Sequence, residues 1–166
     1  MKRSMVQVQV PSAPMSEPRQ VSVERTIGAP AEDVFAVLVD PSMHPVIDGS
    51  GSVRAERGRN PQRLILGSRF GFDMKLHGAR YPIRNVVVEY EPNRLIAWRH
   101  VMRHRWRWEL EPVDGATRVT HTFDWSTNLF PPYVEWFGYP DRNRAAMERT
   151  LERLDRLVTT GAVEAS

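Results

Sequence analysis

Apolar and polar residues alternate through most of this chain, and helical spacing replaces the alternation mainly near the start and at the end. The series Val21, Val23, Arg25, Ile27 has period two and predicts a strand, which Gly28-Ala29-Pro30 interrupts. Residues 31–40 then take helical spacing, with Val34, Phe35, Leu38 and Val39 on the apolar face. Pro30 suits the first helical turn. Pro41, lacking an N–H and restricting Asp40, stops the helix. Residues 43–48 are too short to stand alone, and Gly49-Ser50-Gly51 marks a turn into a strand near 52–57.

A half-buried strand over 67–77 places Phe70, Phe72, Met74 and Leu76 on one side and Arg69, Asp73 and Lys75 on the other. Further strands are expected over 80–90, 94–102, 104–111 and 117–126, with turns between them, as in an antiparallel meander. Trp106, Trp108 and Leu110 oppose Arg105, Arg107 and Glu109. Val119, His121, Phe123 and Trp125 oppose Arg118, Thr120, Thr122 and Asp124, so one face is buried and one is wet. For 80–90 two inward sets compete, Tyr81, Ile83, Asn85, Val87, Glu89 or Pro82, Arg84, Val86, Val88, Tyr90, and periodicity does not choose. Residues 141–160 form the clearest helix, with Met147, Leu151, Leu154 and Val158 in a stripe and Gly161 placed to end it.

The length of 166 residues fits one domain, expected over 21–161. Residues 1–20 carry three prolines and read as a mobile tail, with Met5 and Met15 as alternative starts, and 162–166 read as a C-terminal tail. No apolar run reaches the ~20 residues that span a bilayer, and no signal peptide is apparent at Met1 to Val10, so no stable membrane insertion and a cytoplasmic location are expected. The absence of cysteine agrees with a reducing compartment and excludes thiolate catalysis, disulfides and Cys-based zinc sites.

Charge adds little. The 23 basic residues exceed the 20 acidic ones by a net +3, and all the basic residues except Lys2 and Lys75 are arginines, as a GC-rich genome would also produce. The stretch from Trp98 to Trp108 interleaves arginine with tryptophan, but the two alternate to opposite faces, whereas stacking platforms and phosphate contacts must share one surface. Nucleic acid is therefore not an expected partner. His100, His104 and His121 do not visibly converge, so neither a metal nor another cofactor is expected.

Strand, short helices, antiparallel strands and one long amphipathic helix make an α+β order. Three segments are informative: Ile27 to Phe35 (IGAPAEDVF), Arg105 to Thr120 (RWRWELEPVDGATRVT) and Thr122 to Trp125 (TFDW). In them the chain resembles the START-like superfamily, also called SRPBCC or helix-grip, and particularly its polyketide cyclase/dehydrase-like bacterial members. The resemblance implies a curved antiparallel sheet of about 6–7 strands wrapped around the C-terminal helix, with two short helices after the first strand. It also implies an internal cavity between sheet and helix.

The inward positions are then the expected lining: Phe70, Phe72, Met74, Trp98, His100, Trp106, Trp108, His121 and Phe123 from strands, and Met147, Leu151 and Leu154 from the helix. Tyr81 is a further candidate contact. Residues 128–140 carry five aromatics and three prolines and read either as a portal, with Tyr133 and Trp136 at its lip, or as an anchored connection. The first expectation is a binding module for a hydrophobic or amphipathic small molecule of lipid, polyketide or isoprenoid type. The second is a cyclase/dehydrase-like enzyme using His100 or His121 as acid/base, against which stands a satisfied core histidine. The third is a co-chaperone-like protein meeting a partner through Arg105, Arg107 and Arg118. Ligand identity and oligomeric state are not written in the sequence.

Overall fold

The computed structural model describes residues 18–76 and 78–162. Most of the expected N-terminal tail, His77 of the strand expected over 67–77, and residues 163–166 lie outside the described residues. Seven strands form one antiparallel sheet in the order β1-β7-β6-β5-β4-β3-β2. They are β1 (Gln20–Ile27), β2 (Val53–Glu56), β3 (Arg69–Leu76), β4 (Ala79–Glu91), β5 (Leu95–His100), β6 (Arg105–Val113) and β7 (Ala116–Asp124). The crossover from β1 to β2, at opposite sheet edges, runs through α1 (Ala31–Leu38), a 3-10 turn (Pro41–Met43) and α2 (His44–Ile47). After β7 come α3 (Pro131–Trp136) and the long α4 (Tyr139–Thr160).

Local chemistry sets the helix ends. Pro30 sits at the N-cap of α1 in extended conformation, just ahead of the expected first turn. The helix ends at Leu38, earlier than expected, because Pro41 holds Asp40 extended. The Asp40 carboxylate then accepts hydrogen bonds from the backbone N–H and hydroxyl of Ser42. Gly138 and Gly161, both left-handed, bracket α4, and the Gly161 N–H donates to the Leu157 carbonyl at 2.9 Å.

The buried stripe of α4, Met147, Leu151 and Leu154 with Ala146 and Thr150, lies against β1 and β7 and touches α1 and α2. Burying each large apolar chain in that stripe contributes about 2 kcal/mol. The sheet supplies Val21, Val23, Phe70, Phe72, Ile96, Trp98, Trp108 and Phe123 to the same core.

Neither of the two inward sets proposed for the fourth strand is right throughout. Asn85 pairs with His100 and Val87 with Trp98, but a bulge between Val87 and Glu89 shifts the register, so that Tyr90 pairs with Ile96. Asn85 and Val87 are buried from the first set, while from the second Tyr90 packs on Phe35 at 5.7 Å. Glu89 instead turns outward to Arg107. One extra residue reverses the parity of everything after it and bends the strand.

Candidate functional site

Four rings cross the interior in a row. His44 stacks on Trp98 at 5.0 Å, Trp98 lies 6.3 Å from Trp108, and Trp108 stacks on its cross-strand partner His121 at 3.5 Å and 12°. The positions follow from the register: Trp98 opposes Trp106, Ile96 opposes Trp108, and Val23 and Trp108 flank His121 from either side. Phe70 and Phe72 wall the His44 end.

The two histidines in this row differ in one respect. The Nε2–H of His44 donates to the Leu38 carbonyl at 2.9 Å, which fixes its tautomer because a carbonyl can only accept. His121 has no such partner: both ring nitrogens, and the indole Nε1 of Trp108, are buried with no group among the described residues in hydrogen-bonding reach. Burial lowers the pKa of His44 and drives that of His121 down to about 3. The neutral His121 ring presents one donor and one acceptor, and Trp108 adds a second donor.

His100 is elsewhere. It ends β5 at the β5–β6 hairpin, its Nδ1 accepts from the Met102 N–H at 3.2 Å, and its ring stacks on His104 at 4.5 Å. His104 is itself packed on Phe123 and Trp106, and its pKa is pushed down to about 3, by burial first and by neighbouring His100 second. The hairpin thus brings His100 and His104 together and leaves His121 apart, with no acid/base pair formed between His100 and His121.

Of the other expected lining, Phe70, Phe72, Trp98, Trp108, Phe123, Met147, Leu151 and Leu154 share one buried cluster, with Met74 and Trp106 half-buried at its margin. Tyr81 is 39% exposed and Tyr133 is also exposed, and Trp136 stands 86% exposed on α3. The 128–138 segment is anchored from below. The Trp125 indole donates to Glu135 at 3.0 Å and Arg19 pairs with Glu135 at 2.8 Å, and these contacts, the indole first, hold the Glu135 carboxyl below the ordinary carboxylate range. Sequence reasoning does not single out His44, because the one-turn helix that carries it, with Pro45 as its second residue, has no periodicity to place it.

On the outer face, Arg105 pairs with Asp124 at 3.1 Å, Arg107 with Glu89 and Glu109, and Arg118 with Glu111 at 2.9 Å. The three arginines expected to meet a partner are therefore engaged by the protein's own carboxylates. Five others, Arg59, Arg69, Arg84, Arg99 and Arg103, are exposed and make no ion pair or side-chain hydrogen bond among the described residues. They line a groove of about 660 Å³ between the loop after β2, strands β3 and β4, and the end of β5.

An open antiparallel sheet closed by one long helix, with a polar pair inside an aromatic interior, defines a helix-grip protein. The chain belongs to the polyketide cyclase/dehydrase and lipid transport family, whose model matches residues 18–159. It is 39% identical over 142 residues to the uncharacterized protein Rv0088 of Mycobacterium tuberculosis strain H37Rv, a match covering 82% of this chain. Protein MT0096 of the CDC 1551 strain of the same species gives the same identity. The chain spans about 63% of the length of these curated relatives.

Among solved structures, protein NE0264 of Nitrosomonas europaea superposes with a TM-score of 0.68 at 16% identity, covering 89% of this chain and 98% of that one. The Aha1 dimer from Colwellia psychrerythraea gives 0.63 at 16% identity, with 86% and 97% covered. These likenesses show the fold. No helix among the described residues is long and apolar enough to cross a membrane.

Proposed function

We propose that residues 21–161 bind an apolar or amphipathic small molecule, of lipid, polyketide or isoprenoid type, between the concave sheet and α4. One observation carries this reading: Trp108 and His121 hold three buried polar atoms without a partner among the described residues, in a mainly apolar, aromatic interior. Such atoms cost about 1–3 kcal/mol each when left unpaired, so a stable interior supplies them with partners. Two donors and one acceptor on a flat aromatic wall are the complement of a ring carbonyl or hydroxyl on an apolar body.

Binding is better supported than acid/base turnover. A His121 pKa of about 3 makes its imidazole a weak base at neutral pH, suited to orienting an oxygen rather than to accepting a proton from substrate. His100, the other candidate, lies at the hairpin against His104.

The test uses Nile red, an apolar polycycle with a ring carbonyl, and native mass spectrometry of freshly purified protein. The wild type is expected to bind the dye with a blue-shifted emission. Trp108→Phe and His121→Phe are each expected to weaken binding about tenfold, the equivalent of one hydrogen bond. Both variants should melt no lower than wild type, because an unpaired polar group is replaced by an apolar one. Equal affinity in all three proteins, or no binding by the wild type, refutes the assignment. A co-purified mass lost from both variants would identify the natural ligand directly.

A further inference from the structure

The end of the sheet that carries the β5–β6 hairpin differs from the rest of the surface in two ways. The first is apolar. Val101 and Met102 are exposed on the hairpin, and the Leu129 N–H donates to the Met102 carbonyl at 3.2 Å, which brings a second exposed set alongside: Leu129, Phe130, Tyr133, Trp136 and Phe137. Trp136 is 86% exposed and Phe130 61%. These side chains project from a loop and a helix of one and a half turns, while Val134 of the same helix points into the core and Glu135 is tied down to Trp125 and Arg19.

The second is electrostatic. The same hairpin borders the groove of unpaired arginines on its other side, with Arg99, Val101 and Arg103 among the lining residues. Register explains the groove. Asn85 is opposite His100, so the first part of β4 runs past the end of β5, and Arg80 and Arg84 are exposed beyond the last paired residue of β5. Nearby carboxylates offset little of this charge, since Asp73 is taken by Arg57 and Asp124 by Arg105, which leaves Glu56, held by Asn60, against five arginines.

We propose that this end of the molecule docks peripherally on an anionic lipid bilayer, with the 129–137 aromatics at headgroup depth and Arg59, Arg69, Arg84, Arg99 and Arg103 on lipid phosphates. The composition selects the occupant. Tryptophan, phenylalanine and tyrosine beside arginine are the side chains that settle at a membrane interface, where ring and indole N–H find apolar and polar surroundings together. Tyr133, Trp136 and Phe137 lean ring on ring in one exposed apolar cluster, and a fluid interface closes around such a raised shape. The arginines, distributed over two loops and three strands, face a broad field of negative charge better than a single acidic helix would. Docking here does not depend on what the interior binds, and it accounts for surface that the internal site leaves unexplained.

The experiment is flotation of the full chain with vesicles of phosphatidylcholine alone and of equal parts phosphatidylcholine and phosphatidylglycerol. The protein is expected to float with the anionic vesicles and to be released by high salt, and not to float with the neutral ones. Arg84→Glu, Arg99→Glu and Arg103→Glu should each lower the partition by at least about fivefold. Trp136→Ser should lower it about tenfold without altering salt sensitivity. All four positions are exposed, so melting temperature and Nile red binding should stay at wild-type values, separating lost docking from lost fold or an empty interior. Unchanged partition in the arginine variants, equal binding to neutral vesicles, or binding to poly-glutamate or an oligonucleotide with none to vesicles overturns the proposal.

Discussion

The protein is expected to lose about 5 kcal/mol of unfolding free energy through its buried histidines as the pH falls two units below 6.5. His104 and His121 are buried with pKa values lowered to about 3, in both cases chiefly by desolvation. In the unfolded chain each imidazole takes a proton near pH 6.5, whereas in the folded chain neither does until about pH 3. Over that interval the unfolded state binds two more protons. Stability is therefore complete above pH 6.5 and falls by about 1.4 kcal/mol per pH unit for each histidine below it. His44, also lowered by burial, acts in the same direction.

Against a typical total of about 5–15 kcal/mol, this loss brings the domain to the edge of unfolding in mild acid. Urea denaturation at pH values of about 7.5 and about 4.5 measures it through the shift in midpoint. The His121→Phe variant should show roughly half the pH dependence attributed to the pair, and His104→Phe should do the same. A wild-type midpoint that does not move over this range would mean that these imidazoles are protonated inside the fold, and the assignment of His121 as a neutral hydrogen-bonding group would fail with it.

That histidines occupy the interior was partly legible in the sequence. Alternation put His121 between Val119 and Phe123 on an inward row, and strand parity is reliable where a strand has no bulge, as β7 has none against β6 or β1. The same reasoning placed His100 inward beside Trp98, but parity reports only the face of the sheet and not the distance from its end. His100 is the last residue of β5, and the hairpin turn gives it His104 and Met102 as neighbours instead of the tryptophan wall. β4 shows the complementary limit. Its inward set could not be chosen from the sequence because the bulge at Val87 to Glu89 makes both choices locally correct.

The surface was less legible than the core. Charge alternation predicted a solvated arginine face, and that face exists. Which arginines are neutralised depends on cross-strand register, which brings Glu89 to Arg107 and Asp124 to Arg105 but leaves Arg69, Arg84 and Arg99 beside Val86 and Gly71. The 128–140 segment was read as either a portal or an anchor. Its composition could not show that Trp125 and Glu135 fasten one side of α3 while Trp136 stands in solvent on the other.

Gly49→Ala is expected to destabilise the protein by about 3 kcal/mol or more, lowering the melting temperature by roughly 10 °C, although the sequence marks this glycine only as part of a turn. A Cβ built on Gly49 would lie 2.4 Å from the Ala146 carbonyl oxygen, 2.6 Å from the Thr150 nitrogen and 2.7 Å from the Arg149 Cβ. Two of those atoms are helix backbone and cannot rotate away, so the linker after α2 must lift from α4. Lifting it breaks a set of bonds that converge there. The Gly49 N–H donates to the Thr150 hydroxyl at 2.9 Å, Arg149 donates to the Gly49 carbonyl at 2.8 Å, and Arg153 donates to the Asp48 carbonyl at 2.6 Å. The Thr150 hydroxyl, which itself donates to Ala146, would lose a partner while buried.

The comparison that isolates the cause is Thr150→Ala, which removes the hydrogen bond but leaves the helix surface open, and should cost only about 1 kcal/mol. If Gly49→Ala melts no lower than Thr150→Ala, the close approach is not what the glycine provides. If it melts far lower, the second crossover helix is held to α4 by a backbone contact that only glycine permits. That contact also seats His44, one turn before Gly49, against Trp98 at the end of the interior ring row.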